Sequence, residues 1–438
     1  MLGLATLLER RTMSDNRTLF SIPDYRRIFS ATLVSSLGDG VMLVALPLLA
    51  ASVTDSSRAI AWVLGVSRMP LLLLSLDSIV SSVESRRLAR TGIPWVLAKL
   101  NGATVADRSD ARTVMLGSDF VRFGVLAALA VVALVDRLSL GAIYVTAFVL
   151  GLFEIPFSAA SQRMFPETVP DRLLPIANGR ITAASTSGEQ FLGPALGGLF
   201  VKVGLAAPVI GDALSFLGSA AFLRRLPALP PEPRTDDQRP TDMAEAWKWL
   251  RGSAPLRSAT ALISVLGFAQ IMTLALLVQI GRDTLNLDDR AVGFFVAAIA
   301  VGNLIGTLFA DRVFARLGYA RNLVVAGVVV SISYAIAGLS TTTAVVVGAF
   351  ILEGIVIMFG QVAYNVLRQR LIPAALRGRV FSLTRVAIRG VSPFGALLAG
   401  EIAERRDPSA AVFAAALIAG AGVFVFGPDL RHAFRSLE

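Results

Sequence analysis

A chain of 438 residues that is 55% hydrophobic and 16% charged, with a mean hydropathy of +0.68, is too apolar for an ordinary soluble domain and belongs in a bilayer. It has no cysteine, and its single histidine, His432, lies in a polar tail. That excludes disulfides and thiolate metal sites and leaves any proton relay to carboxylates. The formal charge of +10 would suit nucleic acid, but its concentration in alternate loops makes it a topology signal instead.

Residues 1–27 have no apolar core followed by a small-residue cleavage site, so they read as a cytoplasmic arm and not a signal peptide. Apolar stretches able to cross a hydrocarbon core of about 30 Å follow at 28–53, 60–83, 114–136, 139–162, 176–204 and 207–223. Between 224 and 257 the chain turns polar and proline-rich and ends in the amphipathic run MAEAWKWLRG, a cytoplasmic linker. A second set of apolar stretches occupies 258–281, 290–310, 322–340, 342–366, 378–403 and 408–427, and 428–438 forms a tail. The reading is an all-α membrane protein of twelve transmembrane helices in two six-helix bundles, 28–223 and 258–427. Lysine and arginine gather in the arm, in the loops after even-numbered helices and in the tail, which puts both termini in the cytoplasm. No GxxxxGK[ST] run occurs, so nothing points to ATP, and no cofactor or metal is expected.

The halves repeat one another in the same orientation. Ala106-Asp107-Arg108 after the second helix returns as Ala310-Asp311-Arg312 after the eighth, and Gln162-Arg163 before Pro166 returns as Gln369-Arg370 before Pro373. Such a parallel repeat is a transporter signature. The first half carries an excess, the segment 71–94, which reads as a tandem duplication of the stretch after it. Its Glu84-Ser85-Arg86-Arg87 cannot sit in lipid, so either 60–83 spans or the excess bulges from a broken helix.

An ionised side chain at mid-bilayer costs about 2.5–3.5 kcal/mol, so each one is a functional candidate. Asp39 falls near the middle of the first helix, Glu154 in the fourth and Glu189 in the fifth; these are the candidates for proton coupling, and Asp39 is the first choice. Packing through a helix hydrogen bond is the structural alternative for Asp39. Asp119 and Arg122, three apart on the third helix, are expected to pair locally near its cytoplasmic end. Glu353 in helix ten with Arg389 in helix eleven forms an expected neutral pair, and Arg385 lies one turn from Arg389 on the same face.

The fifth helix contains Gly193-Pro194-Ala195-Leu196-Gly197-Gly198, where proline removes a hydrogen bond and glycine admits a close neighbour: a helix built to bend or to pack tightly. This GPxxGG run resembles the antiporter signature of the major facilitator superfamily, in its drug:proton antiporter branches. With the parallel repeat, the resemblance covers nearly all of 28–427. The loop carrying Asp107, Arg108 and Arg112 is similar to the family's conserved loop between helices two and three, although Ala103 and Asp110 stand where the family has glycine. Asp311 and Arg312 mark its second copy. The resemblance implies a latch of Asp107, Arg108, Arg112, Asp311 and Arg312 that closes the cytoplasmic side; a helix cap in a positive loop is the alternative. Asp212 resembles the family's DAxSFL run, with a structural role. Macrolide-efflux and enterobactin-exporter proteins are similar around Asp39.

The resemblance therefore implies a transporter of the cytoplasmic membrane and not an enzyme, expected to act as a monomer, exporting a small organic molecule in exchange for protons, with no nucleic-acid partner. The alternatives are an uptake symporter or lysolipid transporter, or a non-transporting member, kept as a membrane binding or scaffold protein or disabled by the segment 71–94.

Overall fold

A computed structural model describes residues 19–83, 109–230, 243–373 and 376–435. All regular structure among them is helical. The main helices are α1 (Pro23–Ala51), α2 (Ser57–Val83), α3 (Ala111–Leu134), α4 (Leu140–Glu167), α5 (Leu174–Thr186), α6 (Gly193–Val203) and α7 (Ala206–Leu223). After them come α8 (Met243–Gly252), α9 (Ala254–Leu274), α10 (Asp289–Leu339), α11 (Thr343–Leu371), α12 (Arg377–Arg389), α13 (Ser392–Arg405) and α14 (Pro408–Arg435).

Ten stretches among the described residues are long and apolar enough to cross a membrane. The expected second and fifth spans are not among them. The fifth is divided: a π-helical turn, Ser187–Leu192, separates α5 from α6. Pro194 has no N–H to give the preceding turn, and a π turn is one way a helix absorbs that loss. The eighth and ninth spans are instead joined within α10 and part at Gly318, whose φ of 69° is open to glycine and strained for other residues.

The described residues 19–45, 109–138 and 149–230 form one compact unit, and 46–83, 139–148 and 243–435 form another. In the first, α3 packs along α7. Ile28 and Ala31 of α1, Ala111 and Met115 of α3, Ala160 and Met164 of α4 and Leu223 of α7 close a common apolar core. In the second, α10 packs along α11 and α14, α9 along α14, and α2 along α13. Lipid is as apolar as leucine, so these contacts depend on close packing more than on water exclusion. Ala411, Ala415 and Ala419, one turn apart on α14, are accordingly fully buried, while Phe424 on the same helix is 83% exposed, a surface suited to acyl chains and not to water.

The ends of α2 and α13 are pinned by polar contacts. Glu404 accepts from Ser56 Oγ at 2.9 Å and from the Arg58 backbone N–H at 3.1 Å, and Arg58 pairs with Glu401 at 3.3 Å. The segment 71–94 begins inside α2; residues 84–94 lie outside the described residues, so the choice between a spanning helix and a bulge is not addressed there.

Candidate functional site

In the first unit, three helices bring aspartates near one guanidinium, Asp39 on α1, Asp119 on α3 and Asp212 on α7, and Glu154 and Glu189 lie near Asp39. Asp39 of α1 interacts electrostatically with Arg122 of α3, Asp212 of α7, Glu154 of α4 and Glu189 of the π turn. Asp119 and Asp212 also feel Arg122. Asp119, Arg122 and Asp212 are buried; Asp39 is half-buried, and Glu154 and Glu189 are exposed. The three proton-coupling candidates thus share one neighbourhood. Close approach of α1 and α7 depends on Gly38, because a side chain there would collide with Asp212 and Ser215. Ser215 Oγ donates to Asp212 Oδ1 at 3.0 Å.

Arg122 departs from the expectation of a local pair at the cytoplasmic end. It lies eleven positions into α3, about 16 Å along the axis, and no hydrogen bond or ion pair joins it to Asp119 among the described residues. Its guanidinium instead sits 5.2 Å from the Phe157 ring centre and 5.1 Å from that of Phe216. Two aromatic faces hold a cation in place without neutralising it. The spacing of Asp119 and Arg122 suggested pairing; the depth count from Ala111 was the signal for a more central place.

Gly193, Pro194, Gly197 and Gly198 are all buried. A methyl group built on Gly193 would lie 2.5 Å from Gly40 Cα, and one on Gly40 would lie 2.6 Å from the carbonyl oxygens of both Gly188 and Glu189. The GPxxGG helix therefore meets α1 backbone to backbone, one residue from Asp39.

At the start of α3, Asp110 accepts from Thr113 N–H at 3.0 Å, Thr113 Oγ1 at 2.6 Å and Leu229 N–H at 2.6 Å. Partial burial by itself would raise its pKa, but those hydrogen bonds and the Arg112 charge outweigh it and hold Asp110 below the usual carboxylate range. Arg112 donates to the Leu226 carbonyl at 3.0 Å. Asp107 and Arg108 lie outside the described residues, as does the side chain of Asp311; Arg312 stands over the Phe309 ring at 5.5 Å.

In the second unit, Glu353 is buried and accepts from Tyr334 Oη at 3.0 Å and Gln270 Nε2 at 3.2 Å. The expected partner was Arg389; the two hydrogen bonds described for Glu353 come from these neutral groups. Neutral donors on α10 and α9 satisfy the carboxyl group, and periodicity within α11 could not reveal them. Arg385 and Arg389 line a cavity of about 620 Å³ with Tyr364, Arg368 and Phe381.

Known proteins bear on this geometry in three ways. None of the curated proteins matches the sequence. Among solved structures the fold is similar to that of the nucleoside transporter NupG, with a TM-score of 0.67 at 15% identity over 93% of this chain and 98% of that one. It is also similar to a bacterial homologue of the iron transporter ferroportin in its inward-facing state, with a TM-score of 0.63 at 19% identity over 92% and 98%. A POT family transporter in complex with 5-aminolevulinic acid gives 0.69 at 12% identity over 93% and 96%. At these identities the likeness is one of fold. Residues 28–396 match the Major Facilitator Superfamily as a family, and with a helical membrane fold of the same kind, the chain belongs to that superfamily of transporters.

Proposed function

We propose that this chain is a secondary active exporter that moves a small organic molecule out of the cell in exchange for protons, with Asp39 as the principal proton carrier and Glu154 and Glu189 as its partners. The observation that carries the reading is the meeting of Asp39, Glu154 and Glu189 with Asp212 and Arg122. Several carboxyl groups gathered near one guanidinium form a site whose charge balance a bound proton would change. Asp39 is half-buried and its two glutamate partners are exposed, so the group is not sealed among packed helices.

Coupling is mechanical. The backbone contact of Gly40 with Gly188, Glu189 and Gly193 transmits a change in charge at Asp39 to the π turn, the point in the fifth span where the hydrogen-bond ladder is already interrupted. Protonation that removes the charge on Asp39 weakens its attraction to Arg122 and frees α1 against the GPxxGG segment; loss of the proton reverses this. In the two-bundle reading, this step biases the rocking that opens the centre to either side. One elementary charge moved through 100 mV supplies about 2.3 kcal/mol, about a fifty-fold concentration ratio per proton.

The test uses inside-out membrane vesicles with an acid lumen and two fluorescent dyes, cationic ethidium and anionic carboxyfluorescein. Wild-type vesicles are expected to accumulate one of them only while the pH gradient lasts, and Asp39→Asn is expected to abolish that accumulation at equal insertion. Equal accumulation by both forms would remove Asp39 from the mechanism; accumulation indifferent to the gradient would overturn proton exchange.

A further inference from the structure

The cavity at the end of α11 and along α12 is basic: arginines line it and no acidic residue does. Among its lining residues are Arg368, Arg385 and Arg389, together with Tyr364, Phe381 and Ile388, and no aspartate or glutamate. Its volume of about 620 Å³ is that of a site for a drug-sized molecule.

Arg368 is fixed in orientation. Its guanidinium lies 4.9 Å from the Tyr364 ring centre and 4.6 Å from that of Phe381, and Nη2 donates to Asn365 Oδ1 at 2.6 Å. Two rings and a neutral amide orient the fork but leave its charge in place, and Nε is buried without an acceptor. Arg385 follows Phe381 by one helical turn, so both stand on one side of α12. It is exposed to the cavity, and no carboxylate forms an ion pair with it among the described residues. A guanidinium held in advance, with a second one lining the same cavity, suits a carboxylate or phosphate.

We propose that this cavity binds an organic anion: Arg368 and Arg385 take its carboxylate or phosphate, and Phe381 and Ile388 contact its apolar part. The inference rests on the export reading above and gives it a substrate class. A soluble organic anion and an anionic lipid headgroup share this chemistry, and the experiment separates them.

The full chain is placed in phosphatidylcholine nanodiscs without any gradient, and fluorescence polarisation of carboxyfluorescein reports binding. Saturable binding is expected to weaken at least tenfold in Arg385→Gln and in Arg368→Gln, and to recover in part in Arg385→Lys, which restores charge but not the fork. Ethidium is expected neither to bind there nor to compete. Displacement of the dye by inorganic phosphate identifies a soluble anion; displacement by added phosphatidylglycerol alone identifies a headgroup. Absence of saturable carboxyfluorescein binding, or wild-type affinity in Arg385→Gln, overturns the proposal. Because binding is read at equilibrium, intact anion binding without gradient-driven export would defeat proton exchange alone. Gradient-driven export of ethidium without carboxyfluorescein binding would defeat the anion site alone.

Discussion

The Tyr334 hydroxyl donates to Glu353 Oε1 across 3.0 Å in a fully buried contact between α10 and α11, and Gln270 of α9 donates to the same oxygen at 3.2 Å. Three spans of the second unit thus share one carboxyl oxygen. Tyr334→Phe removes one donor and is expected to cost about 1 kcal/mol, while Glu353→Leu strands two polar groups and is expected to cost about 1–3 kcal/mol. Thermal unfolding of the full chain in detergent reads both. Loss of transport in Glu353→Gln at an unchanged unfolding temperature would give this carboxyl a role in proton movement and contradict the structural one.

Gly193→Ala and Gly40→Ala test the backbone contact of α1 with the GPxxGG segment. The added methyl groups would meet backbone atoms within 2.6 Å, and overpacking of that kind costs about 1–3 kcal/mol. Gly179→Ala in α5 is the control, since a methyl group there meets nothing within 4 Å and alanine favours a helix by about 1 kcal/mol. Expected unfolding temperatures fall for the first two and hold or rise for the third. A neutral Gly193→Ala would mean that the helices separate easily, and the mechanical link to Asp39 would be lost.

These outcomes follow from what a sequence does and does not encode. Position within an apolar stretch singled out Asp39, Glu154 and Glu189, which lie near one another, and the glycine pattern marked the segment that meets α1. Partners on other helices left no such trace: nothing in the periodicity of α11 points to Tyr334 or Gln270. Arg122 was read through its nearest acidic neighbour, Asp119, although the faces of Phe157 and Phe216 receive it. Asp110 stood out as a departure from the family's glycine, and its reason is visible only with Leu229 beside it.

Arg122→Met tests whether the acidic cluster depends on its cation. Removing one member of a buried charged set costs about 3–5 kcal/mol because the remaining charges lose their partner. Adding Asp119→Asn is expected to restore part of the loss, since it removes one of the stranded carboxylates. Arg122→Lys is expected to restore less than the native residue, because an ammonium cannot present a planar face to both Phe157 and Phe216. Thermal unfolding of the single and double variants reads the set; full stability of Arg122→Met would show that the carboxyl groups need no cation.

Asp110 gives a pH dependence outside the membrane span. Hydrogen bonds from Thr113 and Leu229, with Arg112 nearby, outweigh the effect of burial and lower its pKa in the folded chain. A group depressed on folding adds stability above its unfolded pKa, about 3.9 for aspartate, and that contribution fades as pH falls through the folded value. Wild type is therefore expected to lose stability below about pH 4 more steeply than Asp110→Asn. Asparagine still caps a helix, so the two should differ little near neutrality, whereas Asp110→Ala should cost about 1 kcal/mol there. Unfolding temperatures taken from neutral to acid pH distinguish the three. Parallel pH curves for wild type and Asp110→Asn would mean that the carboxylate draws nothing from Leu229 and Thr113, and that the join between the start of α3 and the segment after α7 rests on Arg112 and the Leu226 carbonyl instead.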